Sequence, residues 1–541
     1  MDLFPAILRA FEKTSFRTVN TGKEKPRSEG RCLIIPPALL EKAAEEGFRE
    51  LSFFLRESQL ALLARRLVGN DASENDRFVI RSLLRNAVVS SKGELALCQD
   101  TGTAVICGWK DEGILSGRDR DALETGIAAA YKNNFLRSSL VSPSSFFGEF
   151  NTGDNLPAQI RIEAVTAGIR GPAYRFLFSA RGGGSSNMTG FFSMTGALLE
   201  ENAFDAFLRE KITALGTSAC PPYRLAVVVG GTSPELNLEA LKLAVAEALD
   251  QVPCFSGEPR QAVLGETAIW RDRYWEERAM EIGRQSGLGA QFGGTSLLLD
   301  ARVLRLPRHA ASCPVSIGVS CAAHRNILAL IDSEGLHIER LVRDPETLLR
   351  NTGVDLSAEN WAGSAYCLNL EKPVREICRE LSGLRAGARL LVSGKLLVAR
   401  DAAHRKWHAL LAEGGKLPDY LFEYPIYYAG PSATPPGRII GSLGPTTAGR
   451  MDPYGEELLS RGASLITLAK GNRFENWKKL CAVYGGYYLG TLGGSAALMS
   501  QENVSGCEIL DYPELGMEAV RLVTVKNLPA FMVISSQATG R

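Results

Sequence analysis

The chain has 541 residues, 45% of them apolar and 22% charged, with 61 Lys and Arg against 60 Asp and Glu. That length exceeds what a single hydrophobic core supports and predicts several domain-sized units. Charge that nearly cancels, with no basic runs, argues against a general nucleic-acid or anionic-membrane binder, while single arginines stay available for small anions. The start, Met1 to Leu8, lacks the basic residues and long apolar core of a secretory signal, and no apolar run is long enough to span a bilayer. Eleven cysteines, an odd and scattered set, read as reduced thiols of a cytoplasmic protein.

Taken in order, residues 36–95 predict helices, with apolar residues at helical spacing and a capping serine, Ser73, ahead of early acids and an amphipathic run to Val89. Between Leu95 and Trp109 the pattern becomes strand-like around a Gly-Thr turn. The alternation of Ile160, Ile162, Ala164, Tyr174, Phe176 and Phe178 predicts a hairpin over 159–179. Arg224 to Ser233 reads as a buried strand entering a glycine turn, followed by a helix over 237–249. The run 297–306 is strand-like, and so is Val315–Val319. Polar connectors between about 335 and 385 separate a large N-terminal part from a smaller C-terminal one. The latter opens with a predicted hairpin, 389–400, and then alternates strands with short helices. The fold class is therefore α/β, with units at 1–335 and 385–541 joined by a 336–384 connector.

The stretch 306–321 gathers Arg308, His309, Cys313 and Cys321 into one short segment after Arg305. Cys98, Cys220 and Cys321 each sit beside turn-forming residues, more than a hundred residues apart, so their spacing matches neither a zinc ribbon nor a ferredoxin run. A single free cysteine is most often a small buried hydrophobe. Three at loop junctions suggest one soft-metal site gathered by the fold, with thiolates favouring iron–sulfur chemistry. Glycine-rich turns at 182–187, 230–233, 289–294 and 493–494 fit no Rossmann or phosphate-loop pattern, yet several precede helices, where free N–H groups suit carboxylates. In the C-terminal part Arg400, Arg450 and Lys470 lie at strand ends or in tight loops beside Thr446 and Thr447, and these cations are what a small dicarboxylate needs. Taken singly, each is more often a solvated surface charge.

Several long words in one consistent order resemble the iron–sulfur-dependent class I fumarate hydratases in their fused, single-chain form. They include Cys98-Gln-Asp-Thr-Gly-Thr, Asn151-Thr-Gly-Asp-Asn-Leu-Pro-Ala-Gln, Cys220-Pro-Pro-Tyr, Gly287-Leu-Gly-Ala-Gln-Phe-Gly-Gly and Arg305-Leu-Pro-Arg-His-Ala-Ala-Ser-Cys. Tyr424-Pro-Ile-Tyr-Tyr-Ala-Gly-Pro, Gly444-Pro-Thr-Thr-Ala-Gly-Arg-Met-Asp and Tyr512-Pro-Glu-Leu-Gly-Met-Glu-Ala follow in the second half. The resemblance implies an α+β N-terminal cluster-binding domain and a smaller swivelling C-terminal β/α domain in a homodimer. It also implies a [4Fe–4S] cluster on Cys98, Cys220 and Cys321, with an open iron acting on the malate hydroxyl, and makes Cys313 a structural neighbour. It further places Gln99, Arg137, Gly182, Gly183, Gly184, Arg400, Arg450 and Lys470 around the substrate, pairs His309 with Asp100 for the hydroxyl proton, and gives the C3 proton to Thr446.

Arg181 and Met188 stand where such fumarases commonly carry lysines, a feature closer to the related tartrate dehydratases. Fumarate, mesaconate and L-tartrate are thus the substrates in view, because one methyl alters discrimination by only about 1–3 kcal/mol. The competing class is a non-catalytic iron or oxygen sensor, or an RNA binder that has lost its cluster. The charge balance and the three C-terminal cations speak against that class and for a small-dicarboxylate enzyme without nucleic-acid or membrane partners.

Overall fold

The computed structural model describes residues 3–166, 171–256, 269–357 and 362–535. The architecture is α/β, built on two six-stranded mixed sheets up to Glu339 and a seven-stranded sheet from Tyr366 onward. The predicted helical region is three helices, Pro37–Phe53, Glu57–Val68 and Glu74–Ser90. Ser73 starts the third as expected. Its hydroxyl accepts the Asp76 N–H at 3.0 Å while its own N–H donates to the Asp76 carboxylate at 3.1 Å, a reciprocal cap.

The first sheet runs Phe16–Thr18, Gly335–Glu339, Asn326–Asp332, Tyr174–Arg181, Thr103–Asp111, Gln159–Val165. This order overturns the expected hairpin over 159–179. Thr103–Asp111 lies between its two arms, parallel to one and antiparallel to the other, and part of the connection (167–170) lies outside the described residues. Helices Pro37–Phe53 and Asp119–Asn133 bury one face through Phe48, Tyr131, Phe176 and Phe178. The opposite face, with Trp109, Leu177 and Leu328, shares a core with helices Phe4–Lys13 and Pro234–Val245 and with Val228 and Leu304 of the second sheet.

At the centre of that second sheet Tyr223–Gly231 is buried along its whole length, parallel to Leu298–Arg308 and antiparallel to Cys313–Ser320. A strand covered on both faces reads as an unbroken apolar run, which is how the sequence revealed it. The register sets Ser320 opposite Arg224 and Val315 opposite Val229. Cys220 and Cys321 therefore stand at one end of the sheet, and the turn carrying His309 at the other.

In the third sheet Arg389–Val398 is one continuous strand and not the expected hairpin, with Gly394 at φ +121° where the register shifts. Ile426–Tyr427, Ile466–Ala469 and Tyr487–Thr491 follow it in succession, each parallel to the one before. Val520–Ile534 pairs antiparallel with both the first and the last of these four, so the five strands close on themselves, while Tyr366–Asn369 and Val504–Asp511 each pair on one side only. The 336–384 stretch divides between the lobes. Gly335–Glu339 belongs to the first sheet and Leu349 to a core with Leu60 and Leu84, whereas Tyr366–Asn369 joins the third sheet.

Candidate active site

Cys98 lies in the loop between helix Glu74–Ser90 and strand Thr103–Asp111. This loop is held from both lobes. The Ser442 hydroxyl donates to the Ala96 carbonyl at 2.6 Å, and the Gln99 amide donates to the Pro445 carbonyl at 3.1 Å. Gly102 permits the close approach behind it. Its φ is +82°, and a Cβ there would fall 2.8–2.9 Å from the backbone of Arg181. Cys220 precedes the central strand of the second sheet with a left-handed backbone, φ +62°, a strained state for a non-glycine residue. Cys321 follows strand Cys313–Ser320, and Cys313, fully buried, occupies the other end of that strand.

The three predicted ligands lie within electrostatic reach of one another. Burial pushes all three thiols up, and each is raised further by at least one of the other two. Two cations flank them, Arg325 buried and Lys470 half-buried. Lys470, at the end of strand Ile466–Ala469, places its ammonium 2.8 Å from the Cys220 sulfur. Arg325 faces Cys98 and Cys321 and donates to the Asp100 carbonyl at 2.6 Å. Burial opposes the charge of Lys470, but Cys220 and Cys98 outweigh it and raise its pKa. Among the described residues no three His, Cys, Asp or Glu side chains converge on a single-ion site. A residue without a side chain borders Cys220: a Cβ on Gly493 would fall 2.4 Å from its sulfur.

Asp100 opens toward the glycine turn. Its carboxylate accepts the Gly183 N–H at 2.8 Å and the Gly102 N–H at 3.2 Å. Burial would raise this carboxyl, yet Arg137, Arg325, Gly183 and Lys470 together hold it below the usual range. Gly184 lies against Ala219, next to Cys220, and Gly182 against Asp100 and Arg325. Arg137 is fixed by Thr101, whose hydroxyl donates to the Arg137 carbonyl at 2.8 Å and accepts its N–H at 2.9 Å. Its guanidinium is pulled down to about 10, first by burial and then by Arg400 across the lobe boundary.

Arg400 begins helix Asp401–Ala412 and pairs with Glu518, which also accepts the Ala402 N–H at 3.1 Å. The Arg400 Nε is buried without a partner. Thr446 is buried, its N–H donating to the Tyr428 carbonyl at 2.7 Å and its carbonyl accepting the Lys470 N–H at 3.2 Å, so Thr446 and Lys470 stand at adjacent strand ends. Arg450 is half exposed and pairs with Asp401 at 2.7 Å.

One predicted member is missing. His309 does not pair with Asp100: it sits exposed in the turn that joins Leu298–Arg308 to Cys313–Ser320 across the end of the central strand, its Nδ1 accepting the Ala311 N–H at 3.2 Å. That turn lies eight strand residues, about 25 Å, from the thiol end of the same sheet. Two residues that the sequence reading did not single out are present instead. Arg325 follows Cys321 by only four positions, and Glu518 lies inside the quoted 512–519 word, so proximity to a ligand was the available signal for the first.

Residues 41–329 match the family described as fumarate hydratase (Fumerase), and residues 335–540 the one described as fumarase C-terminus. The chain belongs to the fumarate hydratase family. It is similar to the anaerobic class I fumarate hydratase of Escherichia coli strain K12, 44% identical over 510 residues that cover 93% of this chain and 90% of that one. It is 41% identical over 531 residues to fumarate hydratase 2 of Leishmania major, covering 97% of this chain and 91% of that one. A putative L(+)-tartrate dehydratase β subunit of Methanocaldococcus jannaschii matches at 35%, over 29% of this chain. The two positions that suggested tartrate make their own contacts. Met188 packs on the core that includes Leu198 and Tyr223, and the Arg181 guanidinium donates to the Lys242 carbonyl at 3.3 Å.

Proposed function

We propose that this chain is a hydro-lyase that reversibly adds water to fumarate to give (S)-malate. The observation that carries the reading is the meeting of Cys98, Cys220 and Cys321 with Arg137, Arg400 and Lys470 at the lobe boundary of a fumarate hydratase family member. Three free thiols, soft donors bordered at Cys220 by a residue without a side chain, fit a [4Fe–4S] cluster. Bound there, such a cluster leaves one iron without a protein ligand, which supplies a Lewis acid for the C2 hydroxyl of malate.

The remaining work falls to the chain itself. Arg137, Arg400, Arg450 and Lys470 supply positive charge for two carboxylates, with Gln99 and the N–H groups of Gly182–Gly184 at the wall. Asp100, ionised at neutral pH, accepts the proton that water loses on hydration and returns it when hydroxide leaves. Thr446 handles the C3 proton, beside the cationic Lys470. The buried position excludes bulk water and strengthens each of these interactions. We place the enzyme in the cytoplasm as a homodimer of two-lobed chains, 1–335 and 385–541 joined through 336–384, acting on a small dicarboxylate and on neither nucleic acid nor membrane. The homodimer also gives His309, remote from Asp100 within its own chain, a second site to serve.

The test is a set of single Cys→Ser variants of the iron- and sulfide-reconstituted protein. C98S, C220S and C321S are expected to lose bound iron and fumarate hydration together, while C313S keeps both. Full iron and turnover in any of the first three would overturn the assignment of that ligand.

A further inference from the structure

The Gly287–Gly294 loop belongs to the N-terminal lobe, yet it reaches the loop of the C-terminal lobe that lies on Cys220. Its base is rigid. The capping carboxylate of Asp76 accepts the Ala290 N–H at 2.7 Å and the Thr295 N–H at 2.8 Å, and the Asn75 amide donates to the Phe292 carbonyl at 2.7 Å. Phe292 then stacks on Phe531 of the other lobe, ring centres 3.9 Å apart. Between these anchors the Gln291 amide uses both its ends. Its nitrogen donates to the Pro221 carbonyl at 3.2 Å and to the Gly493 carbonyl at 3.0 Å, and its oxygen accepts the Gly493 N–H at 2.8 Å. Two carbonyls on one end and an N–H on the other fix the orientation of this amide. Gly493 in turn lies against Cys220, where a Cβ would fall 2.4 Å from the sulfur and 3.0 Å from Lys470 Cδ.

We propose that Gln291 is a positioning residue, a latch between the lobes that holds the Gly493–Gly494 loop closed over the Cys220 sulfur and so keeps solvent and oxygen from that side of the cluster. A glutamate there would set a carboxylate oxygen against two carbonyls, and a methionine would fill the space without any of the three hydrogen bonds. Either change frees the Gly493 loop while leaving the Asp76 and Phe292 anchors in place. The proposal rests on Cys220 being a cluster ligand, and the test separates the two ideas.

In the full-length chain without iron, iodoacetamide labelling followed by mass spectrometry compares Cys220 with Cys313, a fully buried thiol at the far end of its strand. Q291M and Q291E are expected to label Cys220 at least about fivefold faster than the parent, the factor that even one net hydrogen bond gives on an opening equilibrium, with Cys313 unchanged. In the reconstituted protein the same variants are expected to release iron to a chelator in air faster by a similar factor. Equal Cys220 labelling in parent and variants, or a parallel rise at Cys313 that marks general loosening, would overturn the latch. Failure of the parent to take up iron would overturn the cluster reading, and the labelling comparison would still decide the latch.

Discussion

Arg400 carries two duties that a single substitution should separate. It pairs with Glu518 and lies close enough to Arg137 to depress that guanidinium, while its Nε is free for a ligand. R400M should therefore raise KM for the dicarboxylate tenfold or more, the scale of a lost charge-assisted hydrogen bond at roughly 1.5–3 kcal/mol. It should also destabilise the fold by about 3 kcal/mol, because Glu518 is left without its cation but keeps part of its surface in water. Steady-state kinetics and urea unfolding measure the two effects, and an unchanged KM would remove Arg400 from the clamp. His404 gives a pH signature away from the thiols. It is buried against Trp407 and Tyr428, and its Nδ1 donates to the Arg400 carbonyl at 2.9 Å. Burial lowers its pKa to about 4, opposed by the Arg400 carbonyl and Asp401 and aided by Arg473. The unfolded imidazole takes up a proton below about pH 6.5 and the folded one does not, so stability is full above that value and falls between pH 6.5 and 4, by up to about 3 kcal/mol. Melting curves of the parent should drop across that window more steeply than those of H404Q.

At the scale of elements, the Cys98 loop depends on Gly102, whose left-handed backbone presses it onto Arg181. G102A should cost about 1–3 kcal/mol in stability and should lower kcat more than KM, since it moves Asp100 away from Gly183; a variant with parental melting temperature and kcat would contradict that placement. The helices were legible because their signals are local: Ser73 and Asp76 cap one another three residues apart. So was the central strand, whose burial on both faces leaves a continuous apolar run. The two mistaken hairpins failed for distinct reasons. Alternation over 159–179 reports two half-buried strands but not that Thr103–Asp111 inserts between them, because strand order is set by contacts remote in sequence. At 389–400 a glycine that only shifts the register carries the same letter as a turn glycine. The site was legible as a set of residues from the family words, and not as a geometry. Nothing local in 306–321 says that the strand between His309 and Cys321 carries them to opposite ends of a sheet, and Arg325 becomes notable only once Cys98 and Cys321 are seen on either side of it.

For the whole molecule, the separation of His309 from Asp100 turns the homodimer into a chemical question. If His309 serves the site of a second copy, D100N and H309N chains, each inactive alone, should recover about a quarter of parental activity when mixed and reassembled, since half the dimers then hold one intact site of two. No recovery, with mixed dimers demonstrated by mass spectrometry, would leave His309 outside the reaction. No helix among the described residues is long and apolar enough to cross a membrane. The central claim, that the lobe-boundary thiols and cations hydrate fumarate, is tested most directly by anaerobic turnover of the iron- and sulfide-reconstituted protein. Fumarate, mesaconate and L-tartrate would be offered side by side, before and after exposure to air. Preferred turnover of fumarate that is lost in air is the predicted result; no turnover of any of the three by a protein that retains its iron would contradict it.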